Sequence, residues 1–239
     1  MYNGKKIIVV LPAYNAAKTL EMTVRDLPPV VDEIILVDDY SSDNTVALAK
    51  SLEQISIVFE HSENRGYGAN QKKCYCLALQ QGADIIVMVH PDYQYDPRLV
   101  EDFVHSISKE RYDVMLGSRI RTRQEALKGG MPLYKYLSNR ALTIFENIVT
   151  GQNLSEWHTG MRGYTRNVLM KIPWKNNSDD FLFDTQVLFE VVARKYKIGE
   201  LAVPVRYFKE ASSINFWRSL KYGLGTIRVA ILYLFGNRK

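Results

Sequence analysis

Three side chains that can bind a metal ion follow a short apolar run near the middle of the chain. His90, Asp92 and Gln94 stand within five residues, directly after residues 85–89. In parallel α/β sheets, ligands bind beyond the carboxyl ends of the strands. An imidazole, a carboxylate and a carboxamide at such an end predict a divalent cation over a phosphorylated substrate. The alternative is an ordinary loop before a helix that begins at Asp96–Pro97, which leaves the three side chains unexplained.

The composition fits a globular protein with an anionic partner. The 239 residues are 46% hydrophobic and 24% charged, enough for the core of one large α/β domain or of a domain with an appendage. The formal net charge of +5 favours a nucleoside diphosphate, a membrane surface or a nucleic acid as the partner. Because the basic residues form no block of the nucleic-acid-binding type, we expect no nucleic acid.

Neither a disulfide nor a zinc site is predicted. Cys74 and Cys76 are two residues apart on a predicted helix and point to different faces, a usage that fits a reducing cytoplasm. The apolar run near the first residues is too short for a secretion signal and is stopped by Pro12. Residues 229–235 fall far short of the roughly 20 apolar residues that span a bilayer, so we expect no transmembrane helix.

The elements that must position these groups alternate short apolar runs with longer amphipathic ones. Continuous apolar strands indicate a sheet covered on both faces, hence a largely parallel α/β sandwich with right-handed crossovers. The predicted strands are residues 6–11, 33–37, 55–60, 84–89 and 112–116. The clearest predicted helices are residues 66–81, 97–108 and 133–149. After residue 119 the pattern is irregular, and we interpret this region as the second half of the same domain.

Polar residues follow the predicted strands at one edge of this sheet. Paired carboxylates can accept hydrogen bonds from a base N–H or from ribose hydroxyls, and glycines let the backbone approach a ligand. These strand-end residues are Pro12, Tyr14 and Asn15, then Asp38 and Asp39, then Gly66 and Gly68. The alternative is structural: the glycines serve a turn, and Asp43 caps the next helix, which we favour for that residue.

Six segments in this order resemble the family 2 inverting glycosyltransferases, and within them the branch similar to dolichol-phosphate-mannose synthase, which glycosylates polyprenyl phosphates. The segments are residues 10–15, 37–45, 64–69, 92–97, 117–119 and 159–164. The resemblance covers most of the chain, from about residue 6 to about residue 207. Six segments in the family's order occur by chance far less often than any one of them.

The resemblance implies one nucleotide-sugar-binding, Rossmann-like domain of the GT-A type over residues 1–210, with a mostly parallel central sheet. Residues 211–239 would be a C-terminal amphipathic helical extension. The base would lie near Pro12, Tyr14 and Asp39, and Mn²⁺ or Mg²⁺ would hold the diphosphate. Asp92 and Gln94 carry over as metal or diphosphate ligands. His90 stands where the family usually has aspartate, and imidazole in place of an anionic oxygen favours Mn²⁺.

The resemblance also implies the catalytic candidates Asp92, Arg119, Glu156 and Arg162. Both arginines match family positions near the phosphates, which suit a bidentate guanidinium, with solvated surface arginines as the alternative. Glu156 matches an acidic residue and would be the base or acceptor-positioning carboxylate if one is required; the alternative is an exposed loop charge. His158 is interpreted as structural or solvent-facing.

Residues 216–235 interleave basic side chains with aromatic and aliphatic ones. On a helix, one side gathers Trp217, Leu220, Leu224, Ile227 and Ile231. Such a helix would either lie in a membrane interface and present a polyprenyl phosphate, or pack on the core with a basic outer face. The helix at residues 134–149 has the same ambiguity. Residues 210–215 lack the lysine of the branch, so diphosphate contacts from that segment stay open.

We therefore predict a metal-dependent hexosyltransferase that moves a hexose from a UDP- or GDP-sugar to a polyprenyl phosphate. It would be a peripheral enzyme at the cytoplasmic face of the membrane, in cell-envelope glycan synthesis. A phosphate monoester, with a second pKa near 6, needs no general base, whereas a sugar hydroxyl does. Two alternatives stay open: a transferase that acts on a sugar hydroxyl in glycan assembly, and a non-catalytic nucleotide- or lipid-binding relative that lost turnover with the aspartate that His90 replaces.

Overall fold

A seven-stranded sheet forms the centre of the described part of the protein. The computed structural model describes residues 1–120, 124, 127, 130–204 and 216–236. The strands are β1 (Ile7–Ala13), β2 (Glu33–Asp38), β3 (Ile55–Glu60), β4 (Ile85–Met88), β5 (Val114–Ser118), β6 (Arg162–Thr165) and β7 (Ile198–Ala202). Their order is β3-β2-β1-β4-β6-β5-β7, and β6 runs antiparallel to both of its neighbours. The other pairs are parallel, which confirms the predicted class.

The apolar strands are buried on both faces of the sheet. In β1, Ile8 and Val10 belong to one core cluster, whereas Ile7 and Val9 belong to a second. Continuous apolar runs predict this arrangement, because a sheet covered on both sides has no polar face. All five predicted strands are present, with ends shifted by at most two residues. The sequence pattern does not reveal β6 and β7, which are short and each contain a glycine and a charged residue.

Helices cover both faces of the sheet. They are α1 (Leu20–Arg25), α2 (Thr45–Ser51), α3 (Tyr67–Gln80), α4 (Val100–Ser108), α5 (Leu133–Thr150), α6 (Arg166–Lys171), α7 (Leu182–Ala193) and α8 (Phe216–Gly236). A turn of 3₁₀ helix, Pro97–Leu99, precedes α4, and Asp96 caps it by accepting a hydrogen bond from the Arg98 backbone N–H. Asp43 accepts one from the backbone N–H of Thr45 at 3.0 Å; it lies one residue before the N-cap of α2, which is Asn44 and not Asp43 as predicted.

Helix α8 packs on α5 and α7 and keeps an apolar side outward. A Cβ at Gly225 would lie 3.0 Å from Leu182 in α7, and Thr226 and Ala230 are fully buried. The predicted apolar side points away from this contact, because its described members are exposed: Leu220, Leu224, Ile227 and Ile231. The side chain of Trp217 and the predicted boundary at residues 210–211 lie outside the described residues. None of the described helices is both long and apolar enough to cross a membrane.

Candidate active site

A cavity of about 440 Å³ opens where β1, β2 and β4 end. Its volume lies within the usual range for small-molecule sites, and residues of α5, α7 and α8 close its far side. The predicted site residues that line it are Pro12, Tyr14, Asp39, Gly66, His90, Asp92, Gln94 and Arg119. The predicted site residues outside its lining are Asn15, Asp38, Gly68, Glu156 and Arg162. The sheet edge therefore gathers the first group as the strand pattern predicts.

The ends of β1 and β2 form one end of the cavity. The ring of Tyr14 is 57% exposed there. The carboxylate of Asp39 accepts hydrogen bonds from the backbone N–H groups of Arg65 (2.7 Å) and Gly66 (3.0 Å), which ties the β3–α3 connection to the end of β2. Gly66 has φ +96°, and a Cβ there would lie 2.7 Å from the carbonyl oxygen of Asp179. An exposed aromatic ring beside a fixed carboxylate suits a nucleoside.

Asp38, Asn15 and Gly68 shape loops and stay outside the cavity, against the expectation of nucleotide contacts. Asp38 is fully buried and accepts a hydrogen bond from the backbone N–H of Ser41 at 2.7 Å. Asn15, with φ +50°, accepts one from the backbone N–H of Ser42 at 2.9 Å. Gly68 packs against α7, where an added Cβ would lie 2.8 Å from a side-chain atom. The side-chain oxygens of Asp38 and Asn15 thus accept hydrogen bonds from the protein itself.

His90, Asp92 and Gln94 all line the cavity. Burial raises the pKa of Asp92, and the neighbouring His90 opposes this shift. The ring of His90 stacks on Tyr67, with Nε2 3.1 Å from the Tyr67 hydroxyl, which donates to Asp184 at 2.8 Å. The described residues offer no group of three His, Cys, Asp or Glu side chains for a metal. A cation here would therefore share its coordination with substrate phosphates, as Mg²⁺ commonly does.

Glu156 holds Arg119 and does not reach the cavity. The carboxylate is fully buried and accepts hydrogen bonds from Arg119 Nε (2.9 Å), from Arg119 Nη2 and from the Arg119 backbone N–H (2.7 Å). Asn139 donates to the same carboxylate at 2.9 Å. Burial acts to raise the pKa of Glu156, but the Arg119 charge and these hydrogen bonds lower it. The acid is thus neither an exposed loop charge nor an available base, and it fixes the guanidinium.

Arg162, predicted near the phosphates, lies in the core and outside the cavity lining. Its side chain is fully buried at the start of β6. It donates Nε to the carbonyl of Thr159 (2.9 Å), Nη2 to that of Trp157 (3.0 Å) and Nη1 to that of Asp184 (3.0 Å). A guanidinium whose donors meet three carbonyl groups connects the segment before β6 to α7. It positions the wall of the cavity.

Three basic side chains from outside the ends of β1, β2 and β4 also line the cavity, together with the acids Asp180 and Asp184. The three are Lys135 from α5, Arg218 from α8 and Arg119. Burial and the charge of Arg119 lower the pKa of Lys135. The guanidinium of Arg218 lies 5.7 Å from the ring centroid of Phe181, a cation–π distance. His158 also lines the cavity, although its side chain is only 10% exposed. The three basic side chains, which we call the basic wall, suit an anion.

The family model for Glycosyl transferase family 2 matches residues 8–172, a range that holds every predicted site residue. The chain belongs to glycosyl transferase family 2. Within the family 2 domain, the match extends from β1 to the end of α6. It therefore includes both the strand ends and the Arg119–Glu156 pair.

Two relatives of this glycosyltransferase are named for polyprenyl phosphates. The UDP-N-acetylglucosamine–dolichyl-phosphate N-acetylglucosaminyltransferase of Methanococcus voltae is 27% identical over 219 residues, covering 85% of this chain and 86% of that protein. The undecaprenyl-phosphate 4-deoxy-4-formamido-L-arabinose transferase of Yersinia enterocolitica is 28% identical over 174 residues, covering 69% and 50%. The predicted resemblance to family 2 and its polyprenyl-phosphate branch is confirmed.

A solved structure confirms the predicted GT-A fold. Glucosyl-3-phosphoglycerate synthase from Mycobacterium tuberculosis, in complex with Mn²⁺, UDP and glucosyl-3-phosphoglycerate, matches with a TM-score of 0.69 at 19% sequence identity. The match covers 97% of this chain and 81% of that one. At this identity the likeness concerns the fold.

Sequence reasoning misses the basic wall of this family 2 domain. Lys135, Asn139 and Tyr222 line the cavity, yet they lie on two amphipathic helices outside the six motif segments. A usable signal exists, because Lys135 is the one lysine in α5, among several apolar residues. Only the packing of α8 on α5 brings that lysine and Arg218 to one wall.

Proposed function

We propose that this glycosyltransferase moves a hexose from a UDP- or GDP-sugar to a polyprenyl phosphate, with inversion, at the cytoplasmic face of the membrane. The observation that carries the proposal is the basic wall: Arg119, Lys135 and Arg218 line the same cavity as the strand-end residues. A nucleotide at one end thus faces an anion site at the other. The relatives named for dolichyl and undecaprenyl phosphate support this choice of acceptor.

An acceptor phosphate, which needs no general base, suits a cavity at which the candidate base Glu156 and the lining acid Asp184 are both occupied. Glu156 is occupied by Arg119, and Asp184 by Tyr67 and by Gln71, which donates to it at 3.2 Å. A phosphate oxygen is already an anionic nucleophile near neutral pH. It forms a bond to the anomeric carbon while the bond from that carbon to the diphosphate oxygen breaks. The nucleoside diphosphate leaves with the electron pair, and the configuration inverts.

The residues at the end of β4 suit a divalent cation on the diphosphate. Asp92 would hold Mn²⁺ or Mg²⁺, with His90 and Gln94 beside it. A partly dry carboxylate, whose pKa burial raises, gains from a cation. When bound, the metal neutralises charge on the leaving diphosphate. Tyr67 orients the His90 ring, and Arg119 contributes a fixed positive charge on the acceptor side.

Two neighbouring helices offer an apolar surface for membrane contact, which we call the apolar face. On α8, Leu224 is 62% exposed, and on α5, Ile148 is 77% exposed. The other exposed members are Leu133, Leu137, Ile144, Leu220, Ile227 and Ile231. The same two helices supply Lys135 and Arg218 to the cavity. A lipid phosphate held at the basic wall would therefore have its chain leave beside the apolar face.

The first test measures nucleoside diphosphate release from UDP- and GDP-sugars with Mn²⁺ or Mg²⁺, with and without a short polyprenyl phosphate. We expect release that requires the lipid phosphate and yields a glycolipid. If nucleoside diphosphate is released with a glycan acceptor and not with the lipid phosphate, the protein transfers the hexose to a sugar hydroxyl and the proposal is wrong. Donor binding without release on either acceptor would identify a non-catalytic relative.

Lys135→Met tests the basic wall directly. Removing one of the three charges that face the phosphate should raise the acceptor KM about tenfold, with the donor KM unchanged. The control is Lys171→Met on α6, an exposed lysine outside the cavity lining, which should behave as wild type. Equal acceptor KM values in both variants would contradict a phosphate site at Lys135.

A further inference from the structure

A fully buried carboxylate lies behind the cavity. Glu146, on α5, has no exposed surface, and His158 Nε2 lies 3.0 Å from its Oε2. The contact is not aligned as a hydrogen bond, and within the described residues neither carboxylate oxygen has a hydrogen-bond partner. A buried carboxyl group without a hydrogen bond is unfavourable, so the close contact with the imidazole of His158 stabilises it.

The other ring nitrogen of His158 connects to two further helices. Nδ1 lies 2.7 Å from the hydroxyl of Tyr222 on α8, and that hydroxyl lies 2.7 Å from Oγ1 of Thr185 on α7. Burial and the negative charge of Glu146 raise the pKa of Tyr222, so its phenol stays protonated and able to donate. One imidazole thus joins α5, α7 and α8.

The backbone of the same residue holds Arg119. The carbonyl oxygen of His158 accepts a hydrogen bond from Arg119 Nη2 at 2.6 Å, beside the bonds from Arg119 to Glu156. The ring contacts and the carbonyl contact belong to the same residue, so a shift of the His158 backbone moves both. A displacement of Tyr222 would therefore move His158 through the contact at Nδ1. His158 would in turn move the Arg119 guanidinium through the hydrogen bond to its carbonyl oxygen.

We propose that Glu146, His158 and Tyr222 form a positioning relay through which the seating of α8 sets the orientation of Arg119 toward the acceptor phosphate. The proposal rests on the proposed function, because its effect is measured as the KM for the acceptor phosphate. Helices α5 and α8 also carry the apolar face, so the relay links contact at that face to the geometry of the basic wall. His158 acts here as a positioning residue, because Nδ1 contacts the Tyr222 hydroxyl and Nε2 lies against the buried Glu146 carboxyl group.

Tyr222→Phe is the first test, because it removes one hydroxyl and keeps the ring. We expect the KM for a short polyprenyl phosphate to rise about tenfold, with the donor KM near wild type and the unfolding temperature lowered by a few degrees, because His158 and Thr185 each lose a buried partner. Tyr233→Phe is the matched control on the same helix. Tyr233 packs against Phe189, away from the cavity lining, and its variant should keep wild-type kinetics.

Two pairs of variants test the His158–Tyr222 contact and the Glu146–His158 contact separately. His158→Asn places an amide near Nδ1 and should keep much of the contact to Tyr222, whereas His158→Ala should lose it, so rescue by asparagine is expected. Glu146→Gln should raise the acceptor KM. Glu190→Gln is its control and should not, because Glu190 is a partly buried acid on α7 outside the cavity lining.

A Tyr222→Phe variant with a wild-type acceptor KM would overturn the relay, as would one that loses donor and acceptor affinity together with a lower unfolding temperature. Failure of the proposed function is a separate result: the wild type would then neither bind nor glycosylate polyprenyl phosphate. In that case the ¹⁵N signal of Arg119 Nε decides. It should shift in Tyr222→Phe and not in Tyr233→Phe, and an unmoved signal would refute the relay.

Discussion

At the scale of single residues, Arg119 shows how a side chain is held ready for an anion. Its guanidinium bonds to the buried Glu156 and to the carbonyl of His158, so its direction is set by the protein. Preorganised charge of this kind stabilises an anion without reorganisation at the moment of reaction. The acid that motif comparison offers as a base is thus the support of the arginine beside it.

Glu156→Gln should destabilise the protein and weaken acceptor binding. Removing one partner of a buried pair leaves Arg119 without its counter-charge, which we expect to cost about 3 kcal/mol in the free energy of unfolding. Denaturant unfolding measures this loss. The control is Glu110→Gln, whose partner Lys5 is at the surface, and it should change the free energy by less than about 0.5 kcal/mol. Similar losses in both variants would contradict a structural Arg119–Glu156 pair.

His90→Asp should shift the metal preference toward Mg²⁺. A second anionic oxygen beside Asp92 suits a hard cation better than an imidazole does. The measurement is the ratio of kcat/KM with Mg²⁺ to that with Mn²⁺, which should rise about tenfold. Asp92→Asn should lower activity with both metals. An unchanged ratio in His90→Asp would show that His90 is not a ligand and serves the stack on Tyr67 instead.

At the scale of elements, α8 has two faces with different tasks. Its inner face carries small or hydroxylated residues that let it approach α5 and α7, such as Gly225, Thr226 and Ala230. Its outer face keeps Leu224 and Ile231 exposed. Burying one aliphatic side chain is favourable by about 2 kcal/mol of transfer free energy. The exposed side chains of α8 would gain this stabilisation on contact with a membrane interface.

Leu224→Glu together with Ile231→Glu should weaken binding to phospholipid vesicles. Each change removes an apolar side chain and adds a charge that repels an anionic surface. Vesicle sedimentation should show at least about a tenfold loss of affinity. Met170→Glu on α6, equally an exposed apolar residue, is the control and should bind as wild type. Equal binding of both proteins would place membrane contact elsewhere.

At the scale of the whole molecule, the stability should depend on Glu190. Burial raises the pKa of this acid to about 7, so the folded protein binds its proton more tightly than the unfolded chain does. Stability should therefore fall as the pH rises from about 4.5 to about 7. Glu190→Gln should flatten this part of the profile of unfolding temperature against pH. A profile that keeps the wild-type slope would assign the effect to another group.

The sequence predicts the strand-end residues of the cavity better than the basic wall. Strands β1 to β5 and their polar ends are local signals, because each apolar run and the residues after it are contiguous. Asp39 and Asp92 accordingly line the cavity. Lys135 and Arg218 come from helices far apart in the chain, and only tertiary packing makes them neighbours.

Motif comparison also cannot tell a ligand-binding side chain from one that supports it. Arg119 and Arg162 both follow motif positions, yet one lines the cavity and the other is enclosed by backbone carbonyls. The difference depends on whether the donors are satisfied inside the protein. His158, interpreted from the sequence as structural, both lines the cavity and anchors Arg119.

Strand β6 runs antiparallel to β5, and this affects which part of the chain can change without disturbing the sheet. Because β6 runs opposite to β5, the stretch from residue 119 to residue 161 leaves the sheet and returns to it at the same edge, where Gly117 donates a hydrogen bond to the carbonyl of Met161. Because the two ends of this segment lie side by side, its length and its sequence can change while the strands on either side keep their register. Under the proposed function, exchange of this segment would change the acceptor and leave the strand-end residues of the cavity intact.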